Sequence, residues 1–382
     1  MVSYIEFHFN SKYLFLVFIF ATVSCIRESL CSSILTDPNK NNPFFFTLVM
    51  FLAEISCGAI EIVKTILSKS QKIRKNRKMN GRSLCSELIL LLIIVAIDFT
   101  VYTIVNLIIG DKFNNYEDLS PIVRLIEIFV LGILSSKILN TPIKPHHIVC
   151  IITFIILIFI SIITEGVTLN NKEKSFDLFN YIVFVIITIC VFTIDSFQFT
   201  FQKYLIDKQF YSPFLLLMYM GIIGIFFLLF VLTFDEMFSL YWTFGNFFTS
   251  IAKYSTIDWV KITCIYICGI LYNASLLTII QQLGTEHVGI GNTLGGIFLI
   301  LFKFFIIENS EWNKYMLVKA LIFFVILIVC LVYTEIIVLN VFSLGDYTKG
   351  EIDKRGSFET RNMERQLSIT DEEKDDISEE IY

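Results

Sequence analysis

Apolar residues in this chain do not alternate with polar ones. They gather in long runs of about 20 residues, broken by short polar stretches. Ten runs can be counted, with cores at 13–33, 44–64, 88–109, 120–139, 147–164, 180–201, 213–234, 259–281, 289–307 and 315–340. Coiled as a helix, a run of that length crosses a hydrocarbon layer about 30 Å thick. The roughly ten-residue alternation of a membrane-barrel strand does not occur. The pattern therefore predicts an all-α polytopic membrane protein with ten transmembrane helices. Ten is even, so both termini fall on one side. Five runs precede the polar stretch 165–177 and five follow it. An odd number per half sets the second half in the opposite sense to the first. That is the arithmetic of two inverted five-helix repeats with a binding site near the midplane between them. The expected units are 1–164 and 178–342 as the two repeats, 165–177 as an extracytosolic linker, and 343–382 as a disordered acidic cytosolic tail.

Composition agrees with the pattern. Of 382 residues, 55% are hydrophobic, and the mean hydropathy is +0.71; soluble domains are less apolar. Charge sets the orientation. The stretch KTILSKSQKIRKNRKMNGR at 64–82 holds eight Lys/Arg. With Lys137, Lys144, Lys203 and Lys208 its side carries twelve, against seven on the other (Arg27, Lys40, Lys112, Lys172, Lys174, Lys253 and Lys314). Cytosolic loops collect positive charge, so this stretch and both termini are expected in the cytosol. The first run has a second reading. Only about 14 clean apolar residues precede Arg27 and Glu28, and ATVSC resembles a signal-peptide cleavage site, whose use leaves nine spans without inverting the rest.

The net charge of −5 comes from the tail, where twelve Asp/Glu face six Lys/Arg between Ser343 and Tyr382. Nothing in the charge pattern points to nucleic acid. Of nine cysteines, seven lie in or beside apolar runs and read as small core residues. Cys264 and Cys268, one helical turn apart with no histidine beside them, offer too few ligands for zinc. Cys25 and Cys31 are candidates for an extracytosolic disulfide. His8, His146, His147 and His287 fall in predicted loops or termini, which weighs against an embedded catalytic or metal-binding histidine. No metal and no cofactor is expected.

The chemistry lies in polar residues that interrupt the runs, because a charge at bilayer depth costs at least ~2.5–3.5 kcal/mol on insertion scales. Glu54 sits near the centre of PFFFTLVMFLAEISCGAIEIVKTIL and Asp98 near the centre of LIIVAIDFTVYTIV. At matched depth the two could share a proton or a cation if their helices touch. Arg124 and Glu127, three apart in SPIVRLIEIFVLG, either neutralise each other on one helix face or leave Arg124 to grip an anionic group with its planar fork. Asp195, Gln198 and Gln202 recur at i, i+3 and i+7 in FTIDSFQFTFQKYL. Such a polar stripe suits a water-filled cavity or a packed helix seam. Asn273 and Asn292 join the set, with Lys303 in IFLILFKFFIIEN, which either reaches the cavity or snorkels to the interface. Asn273 opens an Asn-Ala-Ser sequon, but within a span it is a poor glycosylation acceptor. Glycines in MGIIG (220–224) and NTLGGIF (292–298) mark places where helices approach closely.

In their order, these pieces resemble the drug/metabolite transporter superfamily, specifically the F-type branch of the nucleotide-sugar-transporter-like, EamA-like solute carriers, over about residues 11–340. SKYLFL resembles that branch's T-K-Y-Q-L-F-L. PFFFTLVMFLAEISC is similar to Pro-Phe followed by M-F-L-G-E-x-S-C, with Glu54 and Cys57 on its Glu and Cys and Ala53 in place of its Gly. IDFTVYTIV resembles C-D-x-T-x-T and sets Asp98 on the Asp. SPIVRLIEIFVLGILSSKIL resembles the segment with Q-x-L-R-G and sets Arg124 on the Arg. FQFTFQKYL is similar to Q-x-x-x-E-E-K; Gln198 matches, while Gln202 and Lys203 replace acids. SPFLLLMYMGIIG resembles P-x-x-x-x-G-x-E-G-x-x-G, with Gly221 and Gly224 matching and Met220 in place of Glu. LYNASLLTIIQQLGTEH resembles F-F-N-F-x-G-x-x-x-T-K-E-L and sets Asn273 on its Asn. Where the branch has L-R-T, this chain has Leu294, Gly295 and Gly296. The resemblance implies ten helices in two inverted halves, cytosolic termini, and alternating-access transport of a small polar or anionic metabolite, nucleotide-sugar-like or another organic solute.

The expectation is a secondary transporter rather than an enzyme, in an endomembrane (Golgi, endoplasmic reticulum or lysosome-like) rather than the plasma membrane. Arg124 and Lys303 would attract the solute, Gln198, Gln202 and Asn273 would hydrogen-bond it, and Glu54, Asp98 and Asp195 would couple or gate. No Walker A loop accompanies them. The expected partners are a small-molecule substrate and the bilayer, with a homodimer as an option. Two other classes are open. An intramembrane aspartyl protease could use Asp98 and Asp195, but the usual Gly-x-Gly-Asp context is missing. A non-transporting adaptor or receptor could act through the tail, where Ser357 and Ser368 follow basic residues.

Overall fold

Long apolar runs become helices because a backbone inside a bilayer satisfies its N–H and C=O groups only along its own axis. The computed structural model describes residues 5–7, 11–35, 42–67, 81–110, 123–140, 143–172, 177–209, 212–237, 244–302, 314–335 and 337–339. Among these, ten principal helices follow the ten runs. They are α1 (Ser11–Leu35), α2 (Pro43–Leu67), α3 (Gly81–Gly110), α4 (Leu125–Leu134, ending in a π turn at Ser135–Leu139) and α5 (Pro145–Lys172). The second five are α6 (Leu178–Gln209), α7 (Pro213–Met237), α8 (Thr256–Gln282), α9 (Glu286–Phe302) and α10 (Lys314–Tyr333). A short amphipathic helix, Phe244–Ile251, precedes α8 and has no counterpart among the runs. Lys303, residues 68–80 of the basic stretch, and the tail 343–382 lie outside the described residues.

Six helices (α1, α2, α5, α6, α7 and α8) are long and apolar enough to cross a membrane. Shorter apolar stretches at Leu88–Ile104, Glu286–Leu301 and Ala320–Tyr333 lie in α3, α9 and α10. The protein is an all-α, multi-pass membrane protein, apart from one small ladder. Ile5–Phe7 (β1) pairs antiparallel with Ile337–Leu339 (β2), Ile5 opposite Leu339. The ladder sets the segment before α1 beside the segment after α10, so both ends of the bundle meet at one face. Four details depart from the sequence reading. Residues 337–339, the end of the tenth apolar run, are strand, because the chain breaks from helix at Glu335, which has φ 58°. Helix α5 continues to Lys172, into the stretch expected as linker. Helix α1 runs unbroken through Arg27 and Glu28. Cys25 and Cys31, both on α1, are free and buried. Six residues along one helix separate their Cα atoms by about 9 Å, too far to bridge.

The bundle inverts the usual inside and outside. Phe15, Phe159, Phe226 and Phe230 are at least 64% exposed, while Glu54, Asp98, Glu127, Gln202, Asn273 and Asn292 are at most 2% exposed. So much exposed apolar surface is stable only against lipid. In packing, α2 meets α7 and α8, α1 meets α8 and α9, α3 meets α6 and α7, α4 meets α6 and α9, and α5 meets α10. The α2–α7 seam depends on glycine. A Cβ on Gly221 would lie 2.6 Å from the Phe51 carbonyl oxygen and 2.8 Å from Ile55. Gly221→Val is therefore expected to push the helices apart and cost about 1–3 kcal/mol, read as a lower unfolding midpoint in detergent. Gly132→Ala is the control, since its added Cβ would meet nothing nearer than 3.6 Å. It should be neutral or stabilising.

Candidate functional site

Seven of the eight residues nominated from sequence line one internal cavity: Glu54 on α2, Asp98 on α3, Arg124 at the start of α4, Asp195, Gln198 and Gln202 on α6, and Asn273 on α8. The eighth, Lys303, is outside the described residues. The cavity measures about 70 Å³. A water needs roughly 10–15 Å³ on that scale, so the chamber holds a handful of waters or a small polar group in this conformation. The α6 stripe faces this cavity rather than lipid. Gln198 Oε1, Gln202 Oε1 and Asn273 Nδ2 are buried with no hydrogen-bond partner among the described residues. Buried amide groups are ordinarily satisfied, so these three are available to water or a solute. The Gln202 amide nitrogen meets only the Met220 sulfur, at 3.6 Å.

Glu54 and Asp98 come together. Their carboxyl groups lie within hydrogen-bonding reach of each other, and Asp98 also meets the Gln198 side chain. Tyr102, one turn along α3 from Asp98, donates its hydroxyl to Glu54 Oε1 at 3.4 Å. Glu54 Oε2 and Asp98 Oδ2 have no donor among the described residues. Two carboxylates in contact, removed from water, do not both persist charged and unpaired. The geometry calls for a shared proton or a cation between them. Asp98 lies beside Glu54, Gln198 and Tyr102, and Asp195 is near enough to act on it through its charge.

The second part of the site is a closed ring of polar contacts. Arg124 Nη1 stands 3.3 Å from Glu28 Oε1, and its Nε 3.7 Å from Glu127 Oε2. Its guanidinium also lies 4.8 Å from the Phe192 ring centre, within cation–π range. Ser24 Oγ donates to the same Glu28 oxygen at 3.3 Å. Glu127 Oε1 accepts from Asn292 Nδ2 at 3.2 Å, and Asn292 Oδ1 accepts from the Tyr272 hydroxyl at 3.3 Å. Arg27 lies over the Tyr272 ring at 4.0 Å and 3.7 Å from Glu28, which completes the circuit. The ring ties α1, α4, α8 and α9 together. The i, i+3 pairing of Arg124 with Glu127 is present, and Glu28 joins it from another helix. The guanidinium is thus already engaged by acids.

Sequence reasoning missed Arg27, Glu28, Tyr102 and Tyr272, all of which line the cavity. Arg27 reads from sequence as a loop charge because it interrupts an apolar run. A signal was present nonetheless. Ser24, Arg27, Glu28 and Cys31 fall at i, i+3, i+4 and i+7, one face of a continuing helix. Charge across the cavity is unequal, with Glu28, Glu54, Asp98 and Asp195 facing only Arg27 and Arg124. No protein-family model matches the chain, and no curated protein matches it.

Proposed function

We propose that the protein is a secondary transporter of the drug/metabolite-transporter type, moving a small polar solute across an endomembrane by alternating access. One observation carries the reading. Five helices of an otherwise apolar bundle, and the residue that opens a sixth, bring buried acids, arginines and amides to one cavity, an arrangement costly enough at bilayer depth to be retained for use. The helix pairings support two inverted repeats. Exchanging each helix for the one five places later turns α1–α8 into α6–α3, α1–α9 into α6–α4 and α2–α8 into α7–α3, while α2–α7, α4–α9 and α5–α10 map onto themselves. Repeats that meet face to face pair in this way, with the site between them. The β1–β2 ladder and the basic stretch at 64–82 favour both termini on the cytosolic side. Moving Arg27 from a loop into α1 removes a positive charge from the opposite side and sharpens the bias. The partnership of Asp98 with Glu54 weighs against an aspartyl protease built on Asp98 and Asp195.

Charge and space select the solute class. The cavity carries more acids than arginines, and Arg124 is held between Glu28 and Glu127; the buried donors left without a hydrogen-bond partner among the described residues include Arg27 Nη1, Arg124 Nε and Asn273 Nδ2. A small cationic or zwitterionic solute fits that balance. An anionic nucleotide sugar, which Arg124 alone would favour, meets a net-acidic wall and a chamber of about 70 Å³ in this conformation. A ligand that binds only the folded state raises its stability by mass action. Purified protein in detergent should therefore show a higher unfolding midpoint with small organic cations or zwitterions and none with nucleotides or nucleotide sugars, and the shift should vanish in a folded Glu54→Gln variant. A shift with nucleotide sugars that survives Glu54→Gln would overturn the solute class. No shift with any class, together with no uptake into proteoliposomes, would overturn transport in favour of an adaptor.

A further inference from the structure

We propose that the bundle carries a transition-metal site of the zinc class where α5 begins and α10 ends, built by His146, His147 and Glu335. One ligand atom from each of the three lies within 4.8 Å of the others. The two histidines, read from sequence as loop residues, occupy the first turn of α5. His146 is 4% exposed, and neither of its ring nitrogens has a hydrogen-bond partner among the described residues. Its Nε2 faces Glu335 Oε1 at 3.4 Å. The His147 ring stands edge-on to His146, 4.2 Å between centroids, and lies flat on Tyr333 at 4.4 Å, which holds it beside the end of α10. Two imidazoles and one carboxylate form a zinc donor set with a fourth position left for water. Tetrahedral bonds of about 2.0–2.2 Å set such donors roughly 3.4 Å apart, so small side-chain rotations would close the site.

The backbone gives independent support. Glu335 sits just past α10 with φ 58°, in the left-handed conformation where helix ends ordinarily use glycine. A glutamate held there in spite of its Cβ carries its carboxylate back over the first turn of α5. The simpler account of that carboxylate is Lys144, whose ammonium bonds Glu335 Oε1. That pair explains the acid but leaves two imidazoles, one of them buried without a hydrogen bond, unexplained. It also makes Lys144 the competitor that a dication has to displace. Occupied, the site would fasten α5 to α10 beside the ladder where the two ends of the bundle meet.

The test uses the full chain, purified in detergent and stripped with a chelator. Zinc, and not magnesium, should raise the unfolding midpoint. Cobalt should give the visible absorption of a tetrahedral nitrogen and oxygen site without a thiolate charge-transfer band. Both signals should disappear in the His146→Ala/His147→Ala double variant. Lys144→Met should bind zinc more tightly than the unmodified protein, which an ion pair alone would not produce and which remains readable if the double variant fails to fold. Absence of a zinc-specific shift and of cobalt absorption in both the unmodified protein and Lys144→Met overturns the site. A shift that survives loss of both histidines, or a thiolate band, assigns the metal to cysteines and overturns it as well.

Discussion

Replacing Arg124 with alanine is expected to destabilise the protein by about 3–5 kcal/mol, the usual cost of removing one partner from a buried ion pair. The side chain stands between Glu28 on α1, at 3.3 Å, and Glu127 on α4, at 3.7 Å. Without it, the buried Glu127 faces the half-buried Glu28 across a helix contact, and among the described residues Glu127 keeps the Asn292 amide. Arg124→Lys should fall between the two, because a point ammonium cannot serve both acids as a planar fork does. Adding Glu127→Gln to Arg124→Ala should recover part of the loss, since residues in one network are not additive. Unfolding in detergent measures all three. If Arg124 served chiefly to hold an anionic solute, the alanine variant would unfold at the normal midpoint and lose only ligand binding.

The second large effect is expected at Glu54. Glu54→Gln should leave stability unchanged or raise it, because the new amide can donate to Asp98, whose Oδ2 has no donor among the described residues. Transport should nevertheless collapse. A proton or cation held between Glu54 and Asp98 loses one of its two carboxylates, so uptake should fall by about tenfold or more. Uptake of a small organic cation into proteoliposomes, measured beside the unfolding midpoint, separates the roles. Normal uptake with lowered stability would make Glu54 a helix-to-helix contact and nothing more.

These two residues also mark how far the sequence could be read. Glu54 and Asp98 stood out because an acid amid apolar residues is costly at bilayer depth wherever the chain goes. Matched depth suggested that the two could meet; that Tyr102 and Gln198 would join them depends on how three helices pack, which no local pattern encodes. The ten apolar runs located the helices for a similar reason, since lipid leaves the backbone few alternatives. The same rule misled at 337–339, where an apolar stretch leaves the helix and pairs as a strand with residues 5–7. Arg27 and Glu28 were discounted because charge reads as loop until the helical spacing with Ser24 and Cys31 is noticed. Glu335 could not be foreseen at all, because its partner Lys144 is 191 residues away in the chain.

The glycine seam between α2 and α7 has a mechanical consequence. A Cβ on Gly58 would lie 2.8 Å from the Phe214 carbonyl oxygen and still nearer the Met218 side chain, and one on Gly221 would lie 2.6 Å from the Phe51 carbonyl oxygen. Met218, Ile55 and the Phe51 ring pack against the glycines of the seam, so the two helices are in contact along it with no room for a further atom. Under the inverted-repeat arrangement proposed above, α2 and α7 exchange with each other between the two halves, so their joint would straddle the axis that relates them. In that arrangement the seam would serve as the fulcrum about which one half turns against the other.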